Sequence, residues 1–69
     1  MLQSFTQALQ AFNDEVEAHL IVTGIRPTTF GKKVLGDPQF VFDLRKGRQP
    51  RAEIIDKVRQ FMRERAEAA

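Results

Sequence analysis

Apolar positions recur at helical period along most of the chain. Phe5, Leu9, Phe12, Val16 and Leu20 follow one another at intervals of four, three, four and four, which predicts a helix over 2–22 with one buried stripe. Ser4 or Thr6 offers a cap for its start, and Asn13-Asp14 marks a place for a break and restart. Thr23-Gly24-Ile25 predicts its end, with Gly24 as a left-handed cap and Ile25 folding back onto the helix. Near the other terminus, Ile54, Ile55, Val58, Phe61 and Met62 form the stripe of a last helix over 51–69. Glu53–Lys57 and Asp56–Gln60 stand four apart on its exposed side. Its polar, Ala-rich end, 63–69, is expected to fray or project as a tail.

The pattern shortens in the middle. Phe30 and Val34 are four apart and share a face, with Gly31 beside them, small enough for another helix to come close. Arg26-Pro27 is a linker in which Pro27 pushes Arg26 toward extended geometry, and Thr28 or Thr29 is expected to cap the helix that follows. Gly36 breaks that helix as its left-handed cap or in the turn. Asp37-Pro38 starts the next one, with Asp37 capping and Pro38 at the first position. This helix is expected over 38–46, with Val41 and Leu44 turned inward, Phe40 at the core edge and Gly47 as its end. Phe42 lies off the Val41–Leu44 line and is expected to pack under the last helix, or else to face a ligand or partner. The whole is a small all-α bundle of four or five helices containing a helix-turn-helix.

This central segment resembles the lambda-repressor-like (Cro and xenobiotic-response-element type) helix-turn-helix domains. The apolar–small pair Phe30-Gly31, the apolar Val34 four after the first, Val41 and Leu44 seven and ten later, and the closing Gly47 follow that family's spacing. So does the basic loop Arg48-Gln49-Pro50-Arg51 leading to another amphipathic helix. The resemblance covers roughly 16–62, with two departures: the small residue is usually Ala and here is Gly31, and the turn glycine is displaced by one, with Leu35 in its usual place and Gly36 next. The resemblance makes residues 1–13 an N-terminal helical extension that completes the core or forms a dimer contact; an apolar stripe favours the core.

Charge sharpens the picture. The chain of 69 residues carries a net charge of only +2. Residues 1–25 hold Asp14, Glu15 and Glu17 and no Lys or Arg, whereas residues 26–51 hold Arg26, Lys32, Lys33, Arg45, Lys46, Arg48 and Arg51 against Asp37 and Asp43. Basic charge gathered about a helix-turn-helix is the footprint expected of a phosphate-binding surface; a merely solvated face is the plainer alternative.

Candidate contacts follow from docking geometry. The N-terminal part of the second helix of such a motif meets base edges in the major groove, which nominates Pro38, Gln39, Phe42 and Asp43. Gln39 is the sharpest, because its amide can pair bidentately with adenine. Asp43 is suited to accept from cytosine or to orient Arg45 or Arg48. The candidates for phosphate are Thr28 and Thr29 at a positive helix end, Lys32 and Lys33 on the outward side of their helix, and Arg45, Lys46, Arg48 and Arg51 as a clamp where the second helix ends.

Other chemistry is poorly provided for. With no cysteine and a single histidine, His19, expected at the surface or half-buried, the chain offers neither disulfides nor metal-ligand spacing, so no cofactor is expected. It lacks a nucleophile–base pair and a phosphate-cradling glycine loop, so it is not read as an enzyme, and no small-molecule substrate is expected. No apolar run approaches the roughly 20 residues of a membrane span, and the start MLQSFTQ is unlike a signal peptide. The expected role is a cytoplasmic, nucleoid-associated regulator of transcription that binds specific double-stranded DNA as a homodimer. A helical protein-interaction module and a non-specific architectural DNA-binding protein are the alternatives.

Overall fold

A computed structural model describes residues 5–68, with side chains over 10–65. Leu2 and Ser4, the side chains of Phe5, Thr6 and Leu9, and the tail's residue 69 with the side chains of 66–68 lie outside the described residues. Four helices follow one another: α1 (Phe5–Thr23), α2 (Pro27–Leu35), α3 (Phe40–Arg45) and α4 (Ala52–Ala68).

Helix α1 runs through Asn13-Asp14 without the expected break. Phe12 and Val16 on either side are 0% and 1% exposed, and their burial outweighs the few tenths of a kcal/mol by which Asn and Asp disfavour a helix interior. The end is as the sequence predicts. Gly24 takes φ 73°, its N–H donates to the Leu20 carbonyl at 2.9 Å, and Ile25 turns back onto the core.

Neither Thr28 nor Thr29 caps α2. The helix starts earlier, at Pro27, with Arg26 extended at the cap position, two residues before Thr28, and no side-chain cap bond. Proline's fixed φ suits the first helical position and leaves the threonines at the second and third positions of the first turn. At the far end Gly36 adopts φ 68°, its N–H bonding to the Lys32 carbonyl at 2.9 Å, while Asp37 N–H reaches the Gly31 carbonyl at 3.1 Å. This paired arrangement satisfies two carbonyls at the end of α2.

Helix α3 begins at Phe40, not at Pro38. Asp37 does not cap α3, whose cap position is Gln39 with no side-chain cap bond; it organises the turn before it, its carboxylate accepting the Gln39 N–H at 3.0 Å and its carbonyl the Phe40 N–H at 3.2 Å. Pro38 and Gln39 are consumed in that turn. Phe40 is also a correction, since it sits at the centre of the core at 0% exposure and not at its edge. It stands four before Leu44 and one before Val41, so all three share the inward face.

The core draws on every helix: Phe12, Val16 and Leu20 of α1, Phe30 and Val34 of α2, Phe40, Val41 and Leu44 of α3, Val58 and Met62 of α4. Ile54, Ile55 and Phe61 close it from α4, with Phe61 edge-on to Phe30 at 5.6 Å. No polar or charged residue is buried among the described residues. The α4 backbone stays helical to Ala68, so the tail from Arg63 to Ala68 continues the helix.

Candidate nucleic-acid interface

The corner between α2 and α3 is set by one close approach. A β-carbon on Gly31 would overlap the Asp37 carbonyl oxygen and come within 3.3 Å of the Phe40 β-carbon. This explains the glycine at position 31. The turn can lie directly on α2 only because Gly31 presents no side chain.

That corner leaves Pro38 and Gln39 exposed ahead of α3. Asp43 and Phe42 are half-buried. Phe42 does not join the residues packed on the core; the Arg45 guanidinium lies over its ring, 5.6 Å from the centre.

The basic candidates separate into two kinds. Lys32, Lys33, Lys46 and Arg51 are exposed and make no ion pair among the described residues. Arg45 and Arg48 are already engaged by carboxylates. Arg45 holds Glu17 of α1 through two bonds of 2.8 and 2.9 Å. That bond keeps the Glu17 carboxyl below its usual pKa and raises that of Arg45. Arg48 lies between Asp37 and Asp43, 3.3 and 3.5 Å from their carboxylates, and over the Phe40 ring at 5.5 Å. Asp43 therefore orients Arg48 and not Arg45. Spacing carries no hint of the Arg45–Glu17 pair, whose members are 28 residues apart. The Arg48–Asp37 pair follows only once the turn is known.

Arg48 alters the electrostatics of the face. Two carboxylates beside Gln39 would repel a phosphate backbone, and one guanidinium between them offsets much of that charge. The Thr28 and Thr29 side chains are exposed on the first turn of α2, where uncapped N–H groups leave the positive end of the helix dipole open. Among the described residues no group of three or more His, Cys, Asp or Glu is placed to hold a metal ion, and no helix is long and apolar enough to cross a membrane.

His19 is half-buried, as expected, with its ring 5.6 Å from that of Phe30. Burial lowers its pKa, and the charge of Arg65 adds in the same direction. Glu15, four residues before it, holds Arg59 of α4 at 2.8 and 3.1 Å.

Compared with models of known families, with curated proteins and with solved structures, the chain matches none.

Proposed function

We propose that this chain is a sequence-specific double-stranded DNA-binding regulator of transcription of the lambda-repressor-like kind, cytoplasmic and nucleoid-associated, acting as a homodimer. The observation that carries the reading is the α2–α3 corner. It presents an exposed Pro38-Gln39 step, with exposed Lys32 and Lys33 on the helix before it and Lys46 and Arg51 after it, all four without an ion pair among the described residues. In this reading Gln39 reads a base edge at the mouth of the major groove, aided by Pro38, Phe42 and Asp43. Lys32, Lys33, Lys46 and Arg51 contact phosphate directly, together with the first turn of α2 at Thr28 and Thr29. Arg45 and Arg48 act through exchange: phosphate oxygens compete with the carboxylates that hold them. A single short helix reads few base pairs, and two copies on an inverted repeat supply the missing specificity.

Selection of a random double-stranded DNA pool on the purified protein at near-physiological salt tests this. An enriched inverted repeat is the expected result. Binding without enrichment replaces the reading by a non-specific architectural role, and absence of binding even at low salt replaces it by protein–protein interaction.

A further inference from the structure

Helix α1 has two polar edges and one bare face. Glu17 reaches α3 through Arg45 on one edge, and Glu15 reaches α4 through Arg59 on the other. Ala11, Ala18 and Val22 lie between these edges, pointing away from the core, and all three are exposed. Among the described residues Ile21 and Val22, at 82% and 84%, are the exposed large apolar side chains. Beside Val22 an open groove of about 500 Å³ runs between α1 and α4, with Ala18, His19, Met62 and Arg63 among its walls.

We infer that this face is where a second copy of the chain docks, with the two α1 helices side by side and roughly parallel about a two-fold axis along them. The inference rests on the dimer reading given above, and it supplies the surface. Charge selects both the occupant and the orientation. Helix α1 contains acidic residues and no Lys or Arg, whereas the α4 wall of the groove carries Arg63, with no ion pair among the described residues, and Arg59, which Glu15 of the same copy holds. At 100° per residue, Asp14 and Ile21 stand on the α1 flank toward Glu17, away from α4. A two-fold axis along α1 carries that flank of one copy onto the α4 side of the other. Ile21 then enters the groove over Met62, and Asp14 meets Arg59, twice over by symmetry. An axis across α1 would instead set acidic flank against acidic flank. The contact spans little more than one helix face, below the roughly 1,000 Å² expected of a standing interface, so the pair is weak and concentration-dependent. It is strengthened when both copies sit on one DNA molecule.

Sedimentation equilibrium of the full chain without DNA tests the inference. The expected result is a monomer–dimer equilibrium that Ile21→Glu and Val22→Glu each weaken by about tenfold or more. Far-UV circular dichroism is expected to stay unchanged, since both side chains are exposed. Asp14→Arg is expected to weaken the pair, and Asp14→Arg with Arg59→Glu to restore part of it. A wild-type chain that stays monomeric at its highest soluble concentration overturns the inference. So does a dimer that these substitutions leave intact, or an open-ended assembly. A monomer that still selects a DNA sequence sinks this surface and leaves the DNA reading standing; a dimer sensitive to Val22→Glu that binds no DNA does the reverse.

Discussion

The carbonyl oxygen of Asp37 occupies the space where a β-carbon on Gly31 would stand. Two opposing effects therefore meet in Gly31→Ala. Alanine is favoured over glycine inside a helix by about 0.8–1 kcal/mol. Here the obstacle is backbone, tied to Gly31 itself by the Asp37 N–H bond, so it cannot swing aside as a side chain would. Overpacking of this kind costs about 1–3 kcal/mol, which exceeds the helix gain. Gly31→Ala is expected to lower the melting temperature. An unchanged or higher value by calorimetry would show that the turn can lift from α2.

Val41 makes the sharper test of how α3 faces the core. It is 0% exposed, with Phe40 and Leu44 on the same side. A carboxylate there has no partner, and the burden of an unpaired buried charge is several kcal/mol, comparable with the whole stability of about 5 kcal/mol at the low end for small domains. Val41→Asp is expected to abolish the folded helical signal in circular dichroism. A folded, soluble Val41→Asp protein would mean that α3 is turned the other way.

What could be seen in the sequence is what short-range chemistry decides. Gly24, Gly36 and Gly47 all have positive φ, and each was legible as a helix end. The stripes of α1 and α4 were legible because a core needs repeats at 3.6 residues. The start of α3 was misjudged by two residues. Asp37 can cap a helix or organise a turn, and only packing against Gly31 decides between them. Arg45–Glu17 and Arg59–Glu15 join distant segments and leave no mark on local spacing. The candidate contact residues were legible as a basic cluster, but the division into engaged and unengaged cations is tertiary. The exposed face of α1 was hidden because its core stripe dominated the pattern.

His19 gives stability a dependence on pH. Its pKa is lowered from 6.5 in the folded chain, so below 6.5 the unfolded chain binds protons more readily. The sign follows: its contribution is complete above pH 6.5 and is lost as pH falls through that value toward the folded-state pKa. The melting temperature is expected to decline on acidification from about pH 7, ahead of the carboxylates. In His19→Gln that first decline is expected to flatten. A wild-type profile flat down to pH 5 or so would indicate that the His19 ring accepts a proton in place.

On DNA, residues with different surroundings are expected to fail differently. Gln39 is exposed, and its backbone N–H, not its side chain, is used by the turn. Gln39→Ala should therefore change base preference at one position per half-site, with discrimination reduced by about 1–3 kcal/mol. Lys33→Ala and Lys46→Ala should each weaken binding to every sequence and reduce the salt slope by about 0.9 per lost phosphate contact. Arg48→Ala should weaken binding to every sequence as well, and by more than a lysine change, because it also leaves Asp37 and Asp43 unbalanced beside the groove. Adding Asp43→Asn to Arg48→Ala is then expected to recover part of the loss. Fluorescence anisotropy across a salt series on one selected and one scrambled duplex separates these outcomes. If Asp43→Asn gives no recovery, Arg48 acts as an ordinary phosphate contact, and its place between the two carboxylates has no part in binding.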